Sequence, residues 1–258
     1  MRVVLLGDSH FISPADPRKD IHAKRAHFTH AWPSFRDLAS RIRASSPDLV
    51  VSVGDLVDYY SDENADFALE LMGELKAPWV LTPGNHDLSV YREGETRPRP
   101  AREEAGKGWN ARGIELGNRL VAAGSSRLLL VDSGFSAVLP GTAAWLRATL
   151  AARAPTIVLT HTPLDVPPVR ELVVSVDPAK DLGKYVMSGS PDLFGCLRGR
   201  VDRVYAGHLH FAGRLDVEGT AMGFLPLSVT VEGASYPDMG QALVLDPDGS
   251  EEDRKSVV

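Results

Sequence analysis

Six short runs of Val, Leu and Ile constrain the fold of this chain more than any other feature of its sequence: residues 3–6, 48–53, 79–82, 128–131, 156–160 and 201–206. Each run is apolar at consecutive positions, so both faces must be covered. That suits central, largely parallel strands with helices on either side. Segments with helical spacing separate the early runs. Phe35, Leu38, Ala39 and Ile42 follow Ser34, which is read as an N-cap, and Phe67, Leu71 and Leu75 repeat at four-residue steps. A further helix is expected over 141–152, with Trp145, Leu146 and Leu150 facing inward. Beyond Tyr205 the texture changes. Runs at 211–217, 220–224, 227–232 and 241–245, punctuated by turns such as Glu218-Gly219, predict antiparallel hairpins added to the sheet or a second sheet packed on it. The expectation is one α/β domain over residues 1–249 with a β-rich end, then a polar tail over 250–258.

Composition narrows the classes. A chain of 258 residues, 43% hydrophobic and 24% charged, can bury a large core, which excludes disordered and collagen-like readings. A net charge of −6 argues against a broad nucleic-acid or membrane surface. No run approaches the roughly 18 apolar residues of a membrane span. The first apolar run meets Asp8 too soon for a signal peptide. The one cysteine, Cys196, forms no intrachain disulfide and is read as a small buried hydrophobe. A soluble, cytoplasmic protein with no membrane partner is expected.

Ligands in open α/β sheets bind beyond the carboxyl ends of the strands. Those positions read Gly7-Asp8-Ser9-His10, Gly54-Asp55-Leu56-Val57-Asp58, Gly84-Asn85-His86-Asp87, Thr160-His161 and Gly207-His208-Leu209-His210. Any one of these residues alone is more often a satisfied polar group or a helix cap. Five in succession, each at a strand end, are not explained that way. Asp8, His10, Asp55, Asn85, His161, His208 and His210 offer oxygen and imidazole donors without a thiolate, a set suited to Mn, Fe, Zn, Ni or Co rather than Cu(I) or an iron–sulfur cluster. Seven donors exceed what one tetrahedral ion needs, so two ions sharing a carboxylate is the simplest reading.

With these five motifs the sequence resembles the calcineurin-like metallophosphoesterases, over residues 8–210. The resemblance implies a four-layer α/β sandwich, two mixed β-sheets flanked by helices. It also implies a division of ligands: Asp8, His10 and His210 with Asp55 on one ion, and Asn85, His161 and His208 with Asp55 on the other. Manganese is the first expectation for this pair of divalent or trivalent ions. The same resemblance implies attack of a metal-bridging hydroxide on phosphorus, with His86 as the catalytic acid at the leaving oxygen, oriented by the Asp87 carboxylate. Asp58 is expected behind the ligands rather than among them. Where purple acid phosphatases carry a tyrosine ligand this chain has Asp58. It also lacks the Arg-Gly and Glu that mark protein phosphatases. The Asp-x-His start and Gly-His-x-His end look more like the bacterial cyclic-nucleotide-phosphodiesterase branch.

Long connections at 9–33, 88–118 and 165–188 follow strand ends and are expected to set substrate choice. In the second, Arg92, Arg97, Arg99, Arg102, Lys107 and Arg112 are nearly balanced by glutamates, which favours a solvated face over substrate contacts. His22, Lys24, Arg25, His27 and His30 are a more biased cluster, open to phosphate contact or to ordinary surface roles. Tyr59, Tyr60 and Trp109 either stack on a base or pack in the core. The function expected is a dinuclear phosphodiesterase acting on a small phosphate ester or nucleotide. The alternatives are a phosphomonoesterase or nucleotide pyrophosphatase, and behind these a nuclease or a non-catalytic scaffold.

Overall fold

Alternate residues of the first strand serve two different cores. Val3 and Leu5 bury against one group of apolar side chains and Val4 and Leu6 against another, as the period of two in a strand requires. The computed structural model describes residues 1–187, 191–234, 236 and 238–245; the polar tail expected at 250–258 lies outside them. Along the chain come β1 (Val3–Leu6), α1 (Lys19–Lys24), α2 (Ala26–Thr29), α3 (Trp32–Ala44), β2 (Leu49–Ser52), α4 (Asp62–Gly73) and β3 (Trp79–Leu81). Next are β4 (Ser89–Val90), β5 (Arg99–Pro100), α5 (Arg102–Ala111), β6 (Arg119–Ala123), β7 (Ser126–Val131), α6 (Thr142–Thr149) and β8 (Thr156–Thr160). The rest comprises α7 (Pro167–Val176), α8 (Leu182–Tyr185), α9 (Pro191–Leu197), β9 (Arg203–His210), β10 (Gly213–Val217), β11 (Thr220–Pro226) and β12 (Leu243–Leu245).

One sheet has the order β12-β1-β2-β3, with β1, β2 and β3 parallel and β12 antiparallel to β1. The other has the order β10-β11-β9-β8-β7-β6, parallel from β11 to β7 and antiparallel at both edges. Val3, Leu5, Val51, Leu128, Leu130, Leu159 and Tyr205 fill the layer between the sheets. Val4, Leu6 and Val50 face Phe35 and Leu38 of α3 and Leu71 of α4. Leu129, Val131 and Val158 face Leu146 of α6, Val169 and Val173 of α7, and Leu197 of α9. The chain is therefore a helix–sheet–sheet–helix sandwich built on two mixed sheets.

Two local expectations are corrected. Ser34 is not an N-cap: α3 starts earlier, at Trp32, with Pro33 in its first turn. The Ser34 hydroxyl donates to the Ala31 carbonyl at 2.6 Å and accepts from the Thr230 N–H at 2.8 Å. Residues 227–232 do not form a strand. Their backbone is tied elsewhere, Ser228 N–H donating to the Asp8 carbonyl at 2.9 Å, while Leu227, Val229 and Val231 still bury in the core. The three long connections carry structure of their own: α1 and α2 in the first, the β4–β5 hairpin and α5 in the second, α7 and α8 in the third. Among the described residues no helix is long and apolar enough to cross a membrane.

Candidate metal centre

The strand-end residues meet because the turns after β1 and β2 are hydrogen-bonded to each other. The backbone N–H groups of Ser9 and His10 both donate to the Asp55 carbonyl at 2.9 Å. This locks an unfavourable geometry in place, for His10, Asp55, His208 and His210 adopt left-handed φ values of 48°, 50°, 68° and 66°. Non-glycine residues adopt such values uncommonly, and four of them gather here. Two glycines serve close approach. A Cβ on Gly54, itself at φ +96°, would collide with the His161 ring, and one on Gly84 with the Asp55 carboxylate.

Among the described residues three overlapping groups of donors result: Asp8, Asp55, His161 and His208; Asp8, His10 and His210; and His10, Asp55 and His86, with the donor atoms of each group within 4.8 Å of one another. Asp55 Oδ2 lies 3.2 Å from His161 Nε2 and 3.8 Å from His10 Nε2, facing both. Asp8 Oδ2 is 3.0 Å from His210 Nε2, buried, and without a hydrogen bond. Its other oxygen accepts from the His208 N–H at 2.9 Å. Asn85 shares the turn of Gly84; its carbonyl accepts from Ser89 Oγ at 2.6 Å.

The outer nitrogens decide what the inner ones can do. His161 Nδ1 faces the Val53 carbonyl at 3.0 Å, His208 Nε2 the Lys184 carbonyl at 3.0 Å, and His10 Nδ1 the Asp58 carboxylate at 3.1 Å. Each carbonyl requires a proton on the nitrogen it meets, and the Asp58 charge favours one on His10 Nδ1, so the inner nitrogen of a neutral ring is left with its lone pair. His161 Nε2 then opposes His208 Nδ1 at 3.0 Å, and His10 Nε2 opposes His210 Nε2 at 3.1 Å. Inner nitrogens converging beside two buried carboxylates become a donor set for cations once His161 gives up its proton, and nitrogen and oxygen donors suit borderline divalent metals.

The electrostatics agree. Burial pushes His10 down to about 4, and burial with the His161 charge pushes His208 down to about 3, so both are neutral donors. Burial works against a charge on His161, but the Asp55 carboxylate outweighs it and holds the ring up to about 10. Burial raises Asp8, but the neighbouring His210 ring brings it down to about 2. The centre favours positive charge at the place where the inner nitrogens meet, carried by the His161 proton until a cation replaces it.

Asp87 requires a correction. Its carboxylate does not orient His86. It accepts from the backbone N–H groups of Gly84 at 2.8 Å and Val57 at 3.1 Å, which occupies it in fastening the β3 turn to the β2 turn. The Trp109 indole N–H donates to the Asp87 carbonyl at 2.9 Å from below. The His86 ring is held instead by Asp58, whose carbonyl lies 2.6 Å from Nδ1. Burial disfavours the imidazolium of His86, yet the charges of Asp55 and Asp58 raise its pKa overall. Asp58 thus serves two histidines, His10 through its carboxylate and His86 through its carbonyl. Arg25 holds that carboxylate with two hydrogen bonds. The sequence marked Arg25 only as part of a basic cluster, because its partner stands in a different motif.

The other candidates separate cleanly. Tyr59 and Trp109 are fully buried and Tyr60 nearly so, which makes them packing residues. Arg92, Arg99, Lys107 and Arg112 pair with Glu104, Glu95, Glu103 and Asp66 at the surface, and Arg102 forks onto buried Asp132. Cys196 is buried, with an Arg147 N–H 3.2 Å from its sulfur.

Solved structures share the fold at low sequence identity. A dimetal phosphatase from Danio rerio superposes with a TM-score of 0.54 at 16% identity, over 89% of this chain and 88% of that one. The TT1561 protein of Thermus thermophilus gives 0.50 at 8% identity, over 88% and 89%. A phosphopantetheinyl hydrolase from Mycobacterium tuberculosis gives 0.49 at 14% identity, over 87% and 89%. No curated protein matches the chain. The family model for calcineurin-like phosphoesterases matches residues 1–212, most of the chain, and the chain therefore belongs to the calcineurin-like phosphoesterase family.

Proposed function

We propose that this protein is a dinuclear metal-dependent phosphodiesterase acting on a small phosphate ester. The observation that carries the reading is the pairing of imidazole nitrogens on two sides of Asp55, at 3.0 and 3.1 Å. Asp8, His10 and His210 with Asp55 would hold one ion, and Asn85, His161 and His208 with Asp55 the other, manganese being the first candidate. Bound together, two such ions supply Lewis acidity to a phosphoryl group and lower the pKa of a water nucleophile.

The chain's own residues do the rest. Asp55, deprotonated and wedged between the two donor groups, keeps them in register. His86 presents a part-exposed ring whose Nδ1 proton is committed to the Asp58 carbonyl. Its Nε2 is left to carry a second proton to the leaving oxygen, a transfer favoured by its raised pKa. Asp58 and Arg25 position that ring, and Asp87 with Trp109 fastens the turn beneath it. The layer shared by the two sheets supports one phosphoesterase domain over residues 1–249. Turnover of bis(p-nitrophenyl) phosphate and p-nitrophenyl phosphate by Mn-loaded protein tests the proposal. Preference for the diester supports it, preference for the monoester moves the reading to a phosphomonoesterase, and turnover of neither removes the enzymatic reading.

A further inference from the structure

The side chain of Lys180 is only 4% exposed, and among the described residues its ammonium makes an ion pair but no hydrogen bond. The turn Asp177-Pro178-Ala179-Lys180 delivers it there. Asp177 accepts from the Ala179 N–H through Oδ1 and from the Lys180 N–H through its carbonyl, each at 3.1 Å, and Pro178 presets the backbone for such a turn. The ammonium sits 4.0 Å from the centroid of the Tyr185 ring and 5.5 Å from that of Tyr236. Its paired carboxylate, Asp177 Oδ2, is 4.0 Å away, beyond hydrogen-bonding distance. Arg25 and Arg102, by contrast, each make two hydrogen bonds to a buried carboxylate.

The same two rings border the metal centre. Tyr185 lies 5.0 Å from the His208 ring and Tyr236 5.5 Å from the His210 ring, so a single side chain separates Lys180 from each imidazole. A buried ammonium with open N–H groups is costly unless an anion completes it, and two π faces offset only part of that cost. The charge of Asp8 also reaches Lys180, but cations held by Asp8 would cancel it. An anionic group of the substrate would complete the ammonium.

We propose that Lys180, set between Tyr185 and Tyr236, is a specificity-determining subsite for a second anionic group of the substrate, beyond the phosphoryl group attacked. The favoured substrate class is accordingly an ester with a phosphate next to the scissile one, as in an organic pyrophosphate. This rests on the phosphoesterase reading and names the substrate class of that same site.

Equilibrium binding of orthophosphate and of non-hydrolysable methylenediphosphonate to Mn-loaded protein, measured by calorimetry, tests it. In Lys180→Met, which keeps the apolar contact with both rings, selectivity for the diphosphonate over orthophosphate falls about tenfold or more, the worth of a charge-assisted hydrogen bond. Lys180→Gln serves if the Met variant does not fold. Unchanged selectivity overturns the proposal, whether both ligands bind as before or both weaken equally. A protein that shows the selectivity but hydrolyses no ester contradicts the phosphoesterase reading and leaves the subsite standing.

Discussion

Nδ1 of His10 lies 3.1 Å from the Asp58 carboxylate, and both groups are buried. The carboxylate charge favours a proton on Nδ1, which leaves the lone pair of Nε2 facing the centre. Partners of this kind are worth roughly 10- to 100-fold in metal affinity. Asp58→Asn retains an acceptor for His10 but loses the charge that Arg25 holds, so affinity for Mn falls by about tenfold, and Asp58→Ala falls toward about 100-fold. Competition with a chelating dye measures both. Affinities equal to the wild type would mean that Asp58 does not act through His10.

Asp55 carries a second prediction. Gly84 packs so tightly on its carboxylate that an added methyl group must displace it. Gly84→Ala is therefore expected to cost about 1–3 kcal/mol in stability by overpacking, and to lower bound metal below two ions per chain, as Asp55→Asn does directly. Gly73, at the end of α4, has open space around the same methyl position and is the control. Gly73→Ala leaves metal content unchanged. Elemental analysis of the purified variants separates the cases, and two ions retained in Asp55→Asn would remove Asp55 as the bridge.

How much of this was legible in the sequence depended on whether a residue's role was local. The runs at 3–6, 128–131 and 156–160 are buried on both faces, so composition alone reveals them. Strand β6 is an edge strand whose side chains alternate between exposed and half-buried, and Arg119 with Leu120 does not read as apolar. Helix α5 contains Gly106 and Gly108 and buries little beyond Ala105 and Trp109, so its period is faint. In the centre, each donor sits at or just past a strand end and Asp8, Asp55, Asn85 and His208 directly follow a glycine, a pattern carried by neighbouring residues. What Asp87 and Asp58 touch was not legible, because two carboxylates near one histidine look alike until the backbone shows which of them is taken up by N–H groups. Arg25 and Lys180 depend on partners in other loops, and no spacing rule reaches that far.

His86 supplies the third prediction. Its raised pKa and part-exposed ring suit proton donation to a departing oxygen, an effect worth about 10²- to 10⁴-fold. His86→Ala is expected to lose activity in that range on alkyl esters, whose leaving groups need a proton. On p-nitrophenyl esters, whose leaving group departs as a stable anion, the loss is smaller. Metal content stays at the wild-type level, because the variant keeps Asp8, His10, His210, His161 and His208. Equal losses on both kinds of ester would assign His86 to phosphate positioning rather than to acid catalysis.

The final prediction concerns pH and metal together. In chelator-treated protein the folded pKa of His161 stands at about 10 against an ordinary 6.5. Its stabilising contribution is therefore complete below pH 6.5 and is lost as pH rises through 10. His10 and His208 run the opposite way. Burial holds them at about 4 and about 3, the unfolded chain takes up their protons first, and stability falls as pH drops below about 6.5. The thermal midpoint of the metal-free protein should accordingly form a dome centred near pH ~6.5. Mn binding requires His161 to give up its proton, so calorimetry at pH ~8 in buffers of different ionisation enthalpy should report release of about one proton. The alkaline limb of the dome should flatten in the loaded protein. Equal alkaline slopes with and without Mn would show that His161 is not paired with Asp55 where the cation binds.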